Sequence, residues 1–208
     1  MPDIIFPHLG ITIDQLNRVA FTVPIFGGLQ VYWYGIFITC GVIAGLFLAL
    51  REAKRTGQDP DIYTDFLLYA LIAAVIGARA YYVIFSWDFY SANPDKILAI
   101  RDGELAIYGG VLAAIATALV YTKKKRLSFA LLADTAIPSV ALGQAIGRWG
   151  NFFNREAFGG FTDSLFAMQL RLSQVRSGDL TEQILANTVL ENGVEYIQVH
   201  PTFFYESC

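Results

Sequence analysis

The sequence predicts an all-α polytopic membrane protein, with four transmembrane helices, the start of a fifth and a small mixed head outside the membrane. Hydrophobic residues make up 55% of the 208 residues and charged residues 16%, which is too apolar for a water-soluble chain of this size. Four long stretches carry at most one charge each, and roughly 20 apolar residues are what a helix needs to cross the hydrocarbon core. Aromatic residues reach 14%, as expected where Trp and Tyr line both membrane interfaces.

The predicted spans follow from these stretches, because each is bounded by charged or turn-forming residues. Residues 1–25 form an N-terminal arm, residues 151–199 are too polar to span and form the head, and residues 200–208 begin another helix with Pro201 in its first turn. That helix is unfinished, so we expect the chain to be a fragment of a longer protein. The bundle occupies residues 26–150, with spans at about 26–50, 66–87, 105–122 and 127–147.

The head carries weaker signals of secondary structure. Alternating apolar and polar residues favour short strands at Ala167–Leu172 and Glu195–Val199. The segment Leu180–Leu190 favours a helix. The sequence shows no internal repeat and no flexible linker between domains.

The loop charges orient the bundle, because short cytoplasmic loops are enriched in Lys and Arg. Basic clusters at Arg51–Arg55 and Lys123–Arg126 mark the cytoplasmic side, whereas Arg18 is the single basic residue of the first 25. The sequence therefore predicts an extracytoplasmic N-terminus and head. No cleavable signal peptide is expected, because the first residues lack a basic region and the first apolar run is too long.

Composition also excludes several classes of function. The net charge of −3 supplies no basic face for nucleic acid. Two Cys and two His supply a metal site poorly and exclude a disulfide framework. We expect no metal, no cofactor, and unpaired thiols at Cys40 and Cys208.

Polar groups inside the predicted spans are candidates for function, because they are expensive in lipid. Arg79 fits either a functional role or a structural one, reaching to the interface or pairing with a carboxylate. The position of Asp134 favours a structural ion pair or a helix cap over a catalytic role. Judged by their position alone, Tyr32 and Tyr34 would be residues of the membrane interface. The full set is Tyr32, Tyr34, Arg79, Tyr108, Asp134, Gln144 and Arg148.

The segment Gly143–Glu156 differs from the rest of the bundle, because glycines, Asn, Arg and Glu interleave there with large apolar residues. Glycines let a backbone or a bulky ligand approach, and an Arg fork of donors suits phosphate oxygens. Two readings stay open from the residues alone. One is a phospholipid headgroup site at the outer membrane surface, and the other is a helix-terminating loop packed on the bundle.

The segment Gly147–Glu156 resembles the signature of the bacterial prolipoprotein diacylglyceryl transferases. It reads Gly-Arg-Trp-Gly-Asn-Phe-Phe-Asn-Arg-Glu, and the family pattern is Gly-Arg-x-Gly-Asn-Phe-x-Asn-x-Glu. The resemblance covers nearly the whole chain from about Gly28 onward. Supporting pieces follow in the family's order: Tyr32–Gly35, Gly77–Arg79 with Tyr81 and Tyr82, Gly103–Gly110, Asp134, His200–Pro201 and Tyr205–Glu206.

The resemblance implies a fold of seven spans with an extracytoplasmic head, in the bacterial cytoplasmic membrane. It implies transfer of the diacylglyceryl group of phosphatidylglycerol to the lipobox cysteine of a prolipoprotein, which forms a thioether and releases glycerol phosphate. The expected partners are phosphatidylglycerol, the prolipoprotein signal peptide and the membrane, with no nucleic acid.

The resemblance also implies roles for individual residues. The expected catalytic residues are Arg148, Tyr108 and Glu156, with Arg148 on the phosphate. The expected phosphatidylglycerol contacts are Arg148, Asn151, Tyr34, Gly147, Gly150 and Asn154, and the supporting residues are Arg79, Asp134, His200 and Glu206.

Two departures from the family pattern affect these expectations. Many members carry a His just before the Gly-Gly pair of the third span, where this chain has Tyr108, and a phenol is a weaker base than imidazole at neutral pH. A further important arginine of the family belongs to a later span, and no residue here corresponds to it. We therefore expect the 208-residue chain alone to be inactive or nearly so.

Two other classes of function remain as alternatives. A small transporter or channel subunit would place Arg79, Asp134 and Arg148 along an aqueous path, but such sites lie near the midplane and often between repeats. A lipid-binding or signal-peptide-binding subunit would need the same headgroup pocket without any means of activating a thiol.

Overall fold

The structure, a computed structural model, describes residues 1–24, 28–98 and 105–208. The chain divides into two compact units. The first comprises Met1–Gly45 and Val140–Cys208, and the second comprises Leu46–Ser139. Phe26 and Gly103, which the sequence analysis places at the start of the first span and before the third, lie outside the described residues.

Most of the described chain is helical, and short strands occupy the arm and the head. The helices are α1 (Trp33–Arg55), α2 (Asp61–Phe85), α3 (Trp87–Ala92), α4 (Ile107–Lys125), α5 (Phe129–Asn154), α6 (Glu182–Leu185) and α7 (Thr202–Tyr205). The strands are β1 (Ile4–Phe6), β2 (Ile11–Ile13), β3 (Val19–Val23), β4 (Leu29–Tyr32), β5 (Met168–Arg171), β6 (Val189–Glu191) and β7 (Val194–Val199).

Three helices within the described ranges are long and apolar enough to cross a membrane, namely α1, α2 and α5. The third predicted span forms helix α4, but α4 ends in Lys123, Lys124 and Lys125 and is not among the three. The prediction of a helical membrane protein with a small head is thus confirmed in this coarser form. The count of four spans is not confirmed.

Two helices have ends that differ from those of the predicted spans. The first helix begins at Trp33 rather than near Phe26, because β4 occupies Leu29–Tyr32 and pairs antiparallel with β3. The fourth helix continues past Gly147 to Asn154. It ends there because Arg155 adopts a left-handed backbone conformation, with φ of +56°.

The arm and the head share one antiparallel sheet, which the sequence did not predict. Its strand order is β2-β1-β5-β7-β6, so an arm strand lies directly beside a head strand, with Ile4 opposite Leu170. The apolar centre of this sheet is fully buried at Ile4, Leu170 and Ile197. Burial of these side chains, each worth roughly 1.5–3 kcal/mol, joins the two segments.

The predicted head strands are confirmed as β5 and β7, but the predicted helix Leu180–Leu190 is largely wrong. The helix covers Glu182–Leu185 alone, and Val189–Glu191 is strand β6. A two-residue turn at Asn192 and Gly193, with φ of +50° and +81°, connects β6 to β7. Asn-Gly in this conformation is the favoured loop of a tight hairpin.

In the second unit, α2 and α4 approach closely through glycines. A Cβ atom added to Gly77 would lie 2.6 Å from the carbonyl oxygen of Gly109. Small residues at such a crossing allow two helices to pack backbone to backbone.

Candidate functional site

The end of α5 packs against the beginning of α1 through four glycines, Gly41 on α1 and Gly143, Gly147 and Gly150 on α5. A Cβ atom on Gly41 would lie 2.9 Å from the carbonyl oxygen of Gly143. A Cβ atom on Gly147 would lie 3.2 Å from the side chain of Ile38, and one on Gly150 would lie 2.9 Å from the ring of Tyr34. The predicted glycines therefore make room for α1, and Gly150 brings Tyr34 against the signature segment.

The turn after α5 forms a carboxylate-centred cluster. The backbone N–H of Glu156 donates to the carbonyl oxygen of Asn151 at 3.1 Å, which folds Glu156 back over the helix end. Its Oε1 then accepts from Nδ2 of Asn151 at 3.2 Å and from Nδ2 of Asn154 at 3.0 Å. Both asparagines thus present one amide hydrogen to the same oxygen, which fixes their orientation.

The second oxygen of Glu156 forms an ion pair with Arg176 in the head, with 3.5 Å from Oε2 to Nη1. The side chain of Glu156 is 18% exposed, whereas that of Arg176 is 67% exposed. The family resemblance implies a catalytic role for Glu156. In the structure, the guanidinium that pairs with it belongs to Arg176.

Arg148 forms an ion pair with Glu206, which follows α7. Arg148 lies on α5 one turn before the Asn151 cluster, and about a quarter of its side chain is exposed. A guanidinium carries five donors in a fixed fork, and one carboxylate cannot use all of them. The remaining donors suit a second anion such as phosphate.

Tyr34 completes the group of predicted residues that the fold brings together. Its ring lies beside Gly150, and its hydroxyl interacts electrostatically with both Glu156 and Arg148. A hydroxyl in this position can donate to an anion held by Arg148.

The tail segment is held by aromatic packing, which places Glu206. Phe203 on α7 is buried, and its ring centroid lies 5.2 Å from that of Trp149 and 4.6 Å from that of Phe152. His200 precedes α7 and exchanges backbone hydrogen bonds with Gly159 and Gly160. Its Nδ1 lies 3.5 Å from the Tyr205 hydroxyl.

Three of the predicted residues lie in the second unit: Arg79 on α2, Tyr108 on α4 and Asp134 on α5. Arg79 is 6% exposed and donates to the carbonyl oxygens of Ile97 at 2.9 Å and Lys96 at 2.7 Å. Its guanidinium also lies 5.2 Å from the centroid of the Tyr90 ring. Tyr108, near the start of α4, is 71% exposed, and Asp134 is exposed on α5.

The sequence analysis missed two groups beside the signature. Arg176 supplies the ion pair to Glu156, although its place in the sequence gives no sign of this. Arg155 is 4% exposed and donates to Oδ2 of Asp3 in the arm at 3.1 Å. Burial lowers the pKa of the Arg155 guanidinium, although Asp3 favours its charged form. The position of Arg155 inside the signature was the one available signal.

Comparison with known proteins shows which family the chain resembles. The family model described as prolipoprotein diacylglyceryl transferase matches residues 19–208. The chain is 47% identical to the phosphatidylglycerol–prolipoprotein diacylglyceryl transferase of Bacillus cytotoxicus, over 94% of this chain and 67% of that protein. Proteins of the same name from Bacillus licheniformis and Bacillus mycoides are each 45% identical over the same shares. The chain thus spans about two thirds of the length of these relatives.

Proposed function

The chain belongs to the prolipoprotein diacylglyceryl transferase family, and we propose that it transfers the diacylglyceryl group of phosphatidylglycerol to a cysteine thiol of a prolipoprotein. The names of its relatives and its apolar helices support this proposal. The acceptor is the lipobox cysteine of an exported precursor, and the reaction is the first step of lipoprotein maturation.

The reaction exchanges one bond at a glyceryl carbon. The cysteine sulfur attacks the carbon that carries the phosphate, so a C–S bond forms and a C–O bond breaks. Glycerol phosphate leaves with the electron pair of the broken bond, and the thiol proton passes to a base, to the departing phosphate or to solvent. The thiolate is the nucleophile, and the developing charge on phosphate requires stabilisation.

The observation that carries the proposal is the arrangement around Arg148. Its partly exposed guanidinium interacts electrostatically with the Tyr34 hydroxyl, while Glu156 orients Asn151 and Asn154 in the turn that follows. Arg148 binds the phosphate oxygens, Tyr34 donates to the headgroup, and the asparagines bind the glycerol hydroxyls or ester oxygens. Held in advance, these donors stabilise charge without reorganising during the reaction.

Tyr108 is the proposed acceptor of the thiol proton, directly or through water. Replacing it with His should raise the rate of transfer most near neutral pH, because imidazole titrates near 6.5. Tyr108→Phe should lower the rate of transfer, while ionisation of the substrate thiol still makes the rate depend on pH. Tyr69→Phe, at an exposed tyrosine on α2, is the control. Equal rates for Tyr108→Phe and the parent protein would contradict the assignment.

The finer topology is also a proposal. The basic residues at the end of α1 and α4 face the cytoplasm, and the arm and head face outward, in the bacterial cytoplasmic membrane. On this arrangement α4 is a fourth span, and α7 begins a fifth.

The activity is tested with the protein at the length at which its cell makes it, reconstituted in vesicles with a lipobox peptide. Mass spectrometry should detect a diacylglyceryl adduct on the cysteine when phosphatidylglycerol is present. No adduct should form with phosphatidylethanolamine as the sole lipid, or with a peptide whose cysteine is replaced by serine. An unmodified peptide in the complete reaction, with the protein folded, would favour the lipid-binding or transport alternatives.

A further inference from the structure

A cleft of about 720 Å³ lies in the first unit, beside the signature turn but separate from the Arg148 donors. The chain after β2 forms one side, at Gln15–Arg18, and the chain after β5 forms the other, at Ser173–Arg176. Asp3 and Arg155 lie among its other lining residues. None of the residues proposed to act in the transfer reaction lines this cleft.

The lining of the cleft carries more positive than negative charge. Arg18, Arg155 and Arg176 line it, and Asp3 is the one carboxylate among the described lining residues. Asp3 already pairs with Arg155 at 3.1 Å and with Arg171 at 3.4 Å. Arg18 donates to a backbone carbonyl oxygen, that of Gln174, at 2.6 Å. Arg176 pairs with Glu156 at 3.5 Å, so Arg18 is the lining arginine for which the described residues supply no carboxylate, and an anion in the cleft would supply that charge.

Two buried polar atoms at the cleft lack partners. Within the described part of the chain, Nε of Arg155 has no hydrogen-bond acceptor, although this side chain is almost fully buried. Likewise, Oε1 of Gln174 has no donor there, while Nε2 of the same amide donates to Asp3 at 2.8 Å. Buried polar groups normally find partners. Both atoms are closed off from solvent, so the groups open to a ligand are the partly exposed guanidinium of Arg18 and the exposed guanidinium of Arg176.

The electrostatics of Arg155 point the same way. Burial lowers the pKa of its guanidinium, and the positive charges of Arg18 and Arg171 lower it further. Asp3 opposes this effect through its charge and its hydrogen bond. A bound anion would act on Arg155 as Asp3 does, because its negative charge also favours the charged guanidinium.

We propose that this cleft binds a glycerol phosphate group, with the phosphate on Arg18 and Arg176. The choice of this ligand rests on the proposed function, in which glycerol phosphate is the leaving group. The group has two sources, the free product and the headgroup of phosphatidylglycerol. The cleft adjoins the turn through Arg155 and the Arg176–Glu156 ion pair, so either source reaches it from the reaction site.

The test is calorimetric titration of the full-length protein in uncharged detergent, with sn-glycerol 1-phosphate and without any peptide. We expect saturable binding that Arg18→Gln weakens about tenfold or more, the scale of one charge-assisted hydrogen bond. The affinity of Arg18→Lys should lie between those of the parent protein and Arg18→Gln, because lysine keeps the positive charge but loses the planar fork of donors. Arg51→Gln, at an exposed arginine near the end of α1, is the matched control and should bind as the parent does.

The source is identified by competition with bilayer nanodiscs. If nanodiscs of phosphatidylglycerol compete with the free ligand and those of phosphatidylethanolamine do not, the site takes the lipid headgroup. If neither competes, the site takes the free product. Both outcomes support the cleft as a glycerol phosphate site.

Three results would overturn the inference: no saturable binding, equal affinity in Arg18→Gln and the parent, or an equal loss in Arg51→Gln. Because no thiol peptide is present, these results do not depend on transfer. Absent binding with intact transfer would refute the cleft site alone. Intact binding without transfer would refute the proposed function alone.

Discussion

At the residue scale, the charged groups of the candidate site are compensated within the chain. Arg148 pairs with Glu206, and Glu156 pairs with Arg176 while accepting from two asparagine amides. A partly buried charge without a partner is costly, so these contacts hold the site in shape before substrate binds. In the proposed function, the substrate phosphate either binds the Arg148 guanidinium together with the Glu206 carboxylate or displaces that carboxylate.

The pair between His8 and Asp163 gives the fold a defined acid sensitivity. Nε2 of His8 lies 2.9 Å from Oδ1 of Asp163, which also accepts from Gln198 at 3.0 Å. These hydrogen bonds, that of His8 first, lower the pKa of Asp163. The folded protein therefore holds this proton less tightly than the unfolded chain. The resulting stability is complete above the ordinary aspartate pKa of about 3.9 and is lost as the pH falls through the lower, folded pKa.

We expect Asp163→Asn to lower the midpoint of thermal unfolding at pH 6 and to reduce its further fall between pH 6 and pH 2.5. Asp179→Asn, at an exposed carboxylate of the same head, is the control. The measurement is thermal unfolding followed by circular dichroism across this pH range. Parallel curves for Asp163→Asn and the parent protein would show that the pair does not contribute.

At the element scale, the close approach of α1 and α5 depends on glycines. Gly41→Ala would place a Cβ atom 2.9 Å from the Gly143 carbonyl oxygen, so the helices must separate. We expect a loss of about 1–3 kcal/mol in the free energy of unfolding, the usual cost of overpacking. Chemical denaturation in detergent measures it.

Gly35→Ala is the matched control on the same helix. A Cβ atom at Gly35 meets nothing within 4 Å. Because Ala favours helix over Gly by roughly 0.5–1 kcal/mol, this variant should be as stable as the parent or more stable. An unchanged stability in Gly41→Ala would contradict the proposed role of this contact.

Local signals explain which elements the sequence predicts well. The long apolar stretches locate α1, α2 and α5, because membrane helices depend on composition over about 20 residues. The strands β5 and β7 follow from alternation. The sequence Asn192-Gly193 is itself a local signal for a hairpin turn, and the sequence prediction did not include it.

Pairing between distant segments could not be derived in the same way. Nothing in Ile4 or Leu170 alone shows that arm and head strands are neighbours, since register depends on the packed core rather than on local preference. The same holds at the site. The signature locates Arg148, Asn151 and Glu156, but their charged partners Glu206 and Arg176 come from distant parts of the chain.

At the scale of the whole molecule, the basic clusters predict which segments face which side of the membrane. With Cys40 and Cys208 replaced by Ser, Asp179→Cys in the head should react with a membrane-impermeant maleimide in intact cells. Lys124→Cys at the end of α4 should react after permeabilisation alone, because basic clusters remain in the cytoplasm. The opposite labelling pattern would reverse the proposed orientation.

The central claim is that Arg148 stabilises the phosphate during diacylglyceryl transfer. The most direct test compares the rate of diacylglyceryl adduct formation on a lipobox peptide in Arg148→Gln and in Arg51→Gln, with the folding of both confirmed. We expect Arg148→Gln to lose activity by about 100-fold to 1,000-fold, the cost of removing one preorganised donor at a developing anion, and Arg51→Gln to retain it. Adduct formation at the parent rate in Arg148→Gln would contradict the account.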